Sequence, residues 1–311
     1  MGINYNRTRT GSLGAAGKKV LRDRYLYILL LPGIIYFILF CYLPMGGLVI
    51  AFKKFNIFTG VINSPWVGFD NFKKVFSYPD FWGILRNTLF ISFYKIIFGF
   101  PVPIILSILL NEIKNSRFKK IAQSVMYLPH FISWVIIGSM MLSLFSASHG
   151  VVNLLFGEHI IGSLLASRRY FRSILVISSI WKTSGWGTII YLAALSQIDP
   201  SLYEAAIVDG ANKLKQVWYI TIPSITGIIV LLLILRIGQL MNAGFEQVMV
   251  LQNPLVMEVS EIFDTYVYRV GLGRGEYSFT SAVDFFKSVV ALILIVSADR
   301  FSKMIGEEGL F

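Results

Sequence analysis

Between Arg24 and Lys53 the chain runs through 28 consecutive residues without a charge. About 20 apolar residues in a helix cross the hydrocarbon layer of a bilayer. This one run therefore makes a membrane-embedded chain the expectation before anything else is weighed. A cleavable signal peptide has an apolar core of about 7–15 residues and ends in small residues. The run is too long for that, and Leu43-Pro44-Met45 is no such end, so a retained helix is expected. Composition points the same way. The chain is 55% hydrophobic and only 14% charged, whereas soluble domains carry about 25% charged residues. That balance excludes a soluble globule, and it leaves too much apolar surface for a disordered chain. The one cysteine, Cys41, lies inside the run, so neither a disulfide framework nor a cysteine metal site can form.

Five further apolar segments follow. They run from Arg86 to Glu112 (broken only by Lys95), Ile121 to about Phe145, Ser173 to Ile198, Ser224 to Val250, and Tyr277 to Ala298. None alternates polar and apolar residues for long, which argues against a β-barrel. Backbone groups in lipid must bond within their own segment, so an all-α integral membrane protein of six spans is expected. Its predicted organisation is a tail over 1–24, one transmembrane domain over 25–300 and a tail over 301–311. Of the 28 Lys and Arg residues, 14 fall on the side of the N-terminus, 9 on the other side and 5 within spans. The positive-inside rule then puts both termini in the cytoplasm. Topology also accounts for the net charge of +11 without nucleic acid.

The segment between the fourth and fifth spans, 199–223, differs from the other loops. Asp199 is a good N-cap and Pro200 suits a first helical position. Ser201 and Glu204 offer a capping box one step on. Leu202, Ala205, Ala206 and Leu214 fall near helical spacing, which predicts a short amphipathic helix. Gly210 removes a side chain where a tight turn or a close neighbour would need it gone, and Pro223 is read as the entry to the fifth span. Helices that lie on lipid usually carry Lys and Arg on their polar face. This one carries Glu204 and Asp209, which suits a protein partner better.

Glu204-Ala205-Ala206, then Gly210, then Ile220-Thr221-Ile222-Pro223 resembles the EAA motif of ABC importer permease subunits, with Ile222 where the family usually has Leu. Gly244-Phe245-Glu246-Gln247, the stretch Asp264–Leu272 and the ending Gly306–Phe311 are similar to the LplB-type branch of the carbohydrate, maltose-transporter-like group. The resemblance implies a type I importer permease in a bacterial cytoplasmic membrane, multi-pass and not itself an enzyme. It implies a second permease subunit, often non-identical, and two copies of a separate ATPase that binds ATP and Mg²⁺. It also implies an extracytoplasmic solute-binding protein and an oligosaccharide substrate. Glu204, Ala205, Ala206, Asp209, Gly210 and Pro223 become the candidate ATPase-coupling residues. The competing readings are a permease for amino acids or peptides, against which the LplB-like segments speak, and a secondary transporter or membrane-embedded enzyme.

Catalysis by this chain itself finds no support in the sequence. Gly17-Lys18-Lys19 lacks the first glycine, the Ser or Thr and the preceding strand of a phosphate loop. His130, His149 and His159 have no metal-ligand spacing, and no nucleophile sits with a base.

Charged and polar residues inside spans are costly in lipid and face a cavity or one another. Asp284 and Lys287, three apart on a helix, can neutralise each other. Arg86 and Lys95 lie near span ends, where long side chains snorkel. On an unkinked fifth span, Arg236, Gln239, Asn242, Glu246 and Gln247 share an arc of about 140°. Sugar recognition needs flat aromatic faces and forked polar groups. This stripe, with Trp181, Trp186 and Tyr191 of the fourth span, is the candidate substrate pathway. Arg236, Lys182 and Lys287 outnumber Glu246 and Asp284, which tolerates an acidic, uronate-containing oligosaccharide.

Overall fold

A computed structural model describes residues 22–145, 164–304, 306, 309 and 310. The N-terminal tail to residue 21, the Gly17-Lys18-Lys19 stretch, His149, His159 and residues 307, 308 and 311 of the Gly306–Phe311 ending lie outside the described residues. Among those described, every regular element is helical, and one isolated antiparallel bridge joins Lys53 to Trp66. Four helices are long and apolar enough to cross a membrane, or five if one sharply bent pair counts as a span.

The first, α1 (Arg24–Phe52), is unbroken for 29 residues, and none of its most apolar stretch is buried against the rest of the chain. Pro44 lacks an N–H and its ring crowds the preceding turn, and Phe37–Tyr42 widens there into a π-turn. Helix α2 (Asp70–Phe76) is tied to the end of α1 by Asn71, whose amide donates to Ala51 O at 2.9 Å and Lys53 O at 3.0 Å. Helices α3 (Phe81–Gly99) and α4 (Pro101–Glu112) form one span of 32 residues.

The expected third span is not straight. Helices α5 (Ser116–Phe131) and α6 (Trp134–Leu144) meet at 95°. Pro129 weakens the last turn of α5, Ile132 and Ser133 are extended, and the Ser133 hydroxyl accepts from Ile136 N to start α6. Helix α7 (Phe171–Leu195) has 25 residues and lies at the centre, with Ser178, Lys182, Gly185 and Thr188 among its buried positions. Gly185 lets α5 approach so closely that a Cβ there would overlap Met126 O.

Helix α8 (Pro200–Val208) is short. Helix α9 runs without a break from Lys213 to Gly238. Pro223 therefore does not begin the fifth span; it lies inside the helix, just after the π-turn Val217–Thr221. The fifth span also ends earlier than predicted. Residues 239–244 leave the helix, and Gly244 takes φ +95° before α10 (Phe245–Leu251) starts. Gly238 sits at the end of α9 because a Cβ there would overlap Ile295 of α12 (Tyr277–Met304). Helix α11 (Phe263–Val267) continues into a π-turn over Tyr268–Leu272.

Three apolar cores hold these elements. One gathers Phe81, Phe263, Tyr266 and Phe279 around Ala51 and Val75. A second packs Phe171 and Leu175 against Val248, Leu251 and Ile262. The third joins Tyr191, Ala194 and Leu195 to Ile225. Where these cores lie between spans, lipid tails are as apolar as the side chains, so close van der Waals packing and not removal from water holds them.

Candidate functional site

Helix α8 is held at both ends, and the described residues leave most of its surface uncovered. Asp199 is the N-cap, accepting from Ser201 N at 2.9 Å. That bond holds the Asp199 carboxyl below the usual carboxylate range. The Ser201–Glu204 capping box does not form, and Glu204 makes no side-chain hydrogen bond or ion pair among the described residues. At the other end Ala211 N bonds Ala206 O at 2.8 Å and Gly210 N bonds Ile207 O at 3.0 Å. This is the two-bond pattern that closes helices through a left-handed residue, here Gly210 at φ +74°. No atom lies within 4 Å of where its Cβ would stand, so the turn, and not a neighbour, requires the glycine.

The Tyr203 hydroxyl then meets Thr221 Oγ1 at 3.0 Å, and Gln216 Nε2 donates to Ala211 O at 3.0 Å. Both tie α8 to the start of α9. Lys213 pairs with Glu112 of α4 at 2.9 Å. No residue of α8 is buried, and Val208 is 88% exposed. Ala205 and Asp209 are exposed and Ala206 is half-buried.

The second site lies where α9 stops. Residues 239–244 and the first turn of α10 close a polar cleft of about 180 Å³ against α3, α6 and α7. Arg236, Gln239, Asn242 and Gln247 all line it, although no single helix carries them. The break in the span brings them together, not a helical stripe. Gln247 is buried, donating to Leu175 O at 2.7 Å and Ser178 Oγ at 2.8 Å while its carbonyl accepts from Lys95 at 2.6 Å.

Lys95 does not snorkel. It is 8% exposed, and its ammonium also donates to Ala243 O at 2.7 Å. Gly244 makes room for that group, since a Cβ would stand 2.8 Å from Lys95 Nζ. Ser92, Ser179 and Thr183 are not among the residues the sequence singles out, and Lys95 reads there only as a snorkelling side chain. Their signal was the spacing of three and four residues that puts each pair on one helix face.

Other predicted residues lie elsewhere. Glu246 is exposed beside Gln247 but is not on the cleft wall. Trp181 lines a separate apolar pocket with Ile137, Met140 and Phe145. Trp186 stacks on His130 at 4.6 Å, and Tyr191 is buried in the third apolar core. The aromatic face at the cleft is that of Trp134, at the start of α6. Lys182 is buried as well, donating to the carbonyls of Pro129, His130 and Ile132 at the bend. Lys287 pairs with Asp284 at 3.6 Å, but Asp264 of α11 is its closer partner.

Residues 99–307 match the family described as the binding-protein-dependent transport system inner membrane component. The chain belongs to this family. Its members are transport components of the inner membrane, not catalysts, and the several apolar helices fit a multi-pass protein. Two relatives in Bacillus subtilis (strain 168) span nearly the whole chain. Protein LplB is 48% identical over 93% of this chain and 92% of its own length. The polygalacturonan/rhamnogalacturonan transport system permease protein YteP is 47% identical over 94% and 92%. Among solved structures, a chain of a bacterial alginate ABC transporter, in complex with an alginate pentasaccharide-bound periplasmic protein, is 38% identical with a TM-score of 0.85. The match covers 94% of this chain and 99% of that one.

Proposed function

We propose that this chain is a permease subunit of an ATP-driven ABC importer for oligosaccharides, acidic uronate-containing ones included. The helix α8 carries the reading. A helix with no buried residue, clamped by the Asp199 cap, the Gly210 turn and the Tyr203–Thr221 contact, is built to transmit force from a partner. A partner can shift the permease only through contacts that differ between its own states. Glu204 and Asp209 face solvent for a basic groove, and Leu202, Ile207 and Val208 supply apolar area. The partner is a separate ATPase, present twice, that binds ATP and Mg²⁺.

In this reading six spans cross the membrane: α1, α3–α4, α5–α6, α7, α9 and α12. They form one domain over 25–300, with the coupling segment 199–223 and both termini in the cytoplasm. A cleft of about 180 Å³ is smaller than the roughly 300–1,000 Å³ that encloses a whole small ligand. It is one wall of a pathway completed by a second, non-identical permease. A solute-binding protein delivers sugar from outside. The polygalacturonan/rhamnogalacturonan permease and the alginate transporter, both similar along nearly the full length, support the substrate class.

The test is purification of the chain with its partners in lipid, followed by ATP hydrolysis with and without the loaded binding protein. ATPase subunits should copurify, and hydrolysis should rise with an oligouronate-loaded binding protein. Isolation without an ATPase, or stimulation by amino acids or peptides alone, overturns the proposal.

A further inference from the structure

Arg236 and Lys95 line the same cleft, and none of the side chains around that cleft is a carboxylate. Arg236 makes no side-chain hydrogen bond or ion pair among the described residues. A guanidinium inside a span is costly and demands an anionic or hydrogen-bonding partner. Lys95 has three protons to give. Two are committed to Ala243 O and Gln247 Oε1, which leaves one. The Gln247 side chain is itself fixed by Leu175 O and Ser178 Oγ, so the ammonium is held in place before any ligand arrives. Two like charges lining one cleft repel each other until an anion sits between them.

We infer that Lys95 and Arg236 together bind the carboxylate of a uronate residue as the sugar passes, and so set the preference for acidic over neutral oligosaccharides. The inference rests on the proposed importer function and assigns the charge reading to these two side chains. Arg236 supplies the planar fork that matches a carboxylate. Lys95 supplies a fixed point charge, and Trp134 offers an aromatic face on the same cleft. Ser92 and Ser179 remain for hydroxyls, and Thr183, whose own hydroxyl donates to Ser179 O at 2.8 Å, can still accept.

The experiment compares uptake of trigalacturonate with uptake of its carboxyl-reduced, neutral counterpart by the whole transporter in membrane vesicles. Wild type, Arg236→Gln, Arg236→Lys and Lys95→Gln are measured, each normalised to assembled complex. A charge-assisted hydrogen bond lost in transit corresponds to a change of about tenfold or more. Arg236→Gln should lower the ratio of acidic to neutral uptake by about that factor, and Arg236→Lys should restore part of it. Lys95→Gln should lower the same ratio even where less complex assembles.

Acidic and neutral uptake falling together in Arg236→Gln, with the amount of complex, would mean that Arg236 pairs with the second permease, and it overturns the assignment. An unchanged ratio in both glutamine variants also overturns it. Wild-type vesicles that take up neither sugar overturn the proposed function itself, and the assignment with it.

Discussion

At Gly210 a side chain would meet open space, yet the backbone at φ +74° admits few residues other than glycine. A β-branched residue held in the left-handed region costs about 1–3 kcal/mol. Gly210→Val should open the two-bond turn that ends α8 and loosen the joint with α9. Substrate-stimulated ATP hydrolysis and uptake should both fall by more than half, while the binding protein still takes up sugar and the complex still assembles. Uptake at the wild-type rate by inserted Gly210→Val would sink the argument.

The sequence made this residue legible because a glycine behind Glu204-Ala205-Ala206 has few local explanations. Lys95 was illegible for the opposite reason. A lysine near a span end reads as snorkelling, and only the fold shows its ammonium turned inward onto Ala243 O. Trp134 was hidden likewise, since it reaches the cleft only because the chain bends beside it.

Among the elements, the broken pair α5–α6 depends on a residue of neither helix. The last carbonyls of a helix lack partners within it, and a cation at that end is favourable. Lys182 of α7 supplies one, bonding the carbonyls of Pro129, His130 and Ile132. Lys182→Met keeps the length and removes the donors. Pro129 O would keep its bond from Ile132 N, but the carbonyls of His130 and Ile132 would lose their donor, and a buried carbonyl left without a partner costs about 1–3 kcal/mol. The purified complex should then show a clearly lower thermal midpoint, and Lys182→Arg should recover part of the loss. An unchanged midpoint for Lys182→Met would show the bend to be held by Gly185 and Pro129 alone. The helix α7 and the apolar content of α9 and α12 were readable from hydropathy. The break after Gly238 was not, because residues 239–244 carry no proline and no run of glycines to mark it.

Over the whole molecule, two groups of loops stand apart. Residues 53–80 and 251–276 are joined to one set of helix ends, as where Phe55 N bonds Ser278 Oγ at 2.8 Å and Asn87 Nδ2 bonds Glu258 O at 2.9 Å. The end of α4 is joined instead to the start of α9, beside α8, through the pair of Lys213 with Glu112. The basic residues favour the second group as cytoplasmic. On a Cys41→Ser background, single cysteines at Phe58 and Arg274, both exposed, should react with an impermeant thiol reagent from outside intact cells. One at the exposed Ser116 should react only after the membrane is opened. Ser64 would make a poor probe, being 4% exposed. Reaction at Ser116 and silence at the other two would turn the topology over.

The cleft and the helix α8 share no side chain; among the described residues they are joined through α7, α9 and, by the pair of Lys213 with Glu112, the span α3–α4. On the proposed function, selection can retune the cargo at one place while the engine mount stays constant at the other. A lineage built on this plan can diversify its diet by substituting a few cleft residues and keep a common motor throughout.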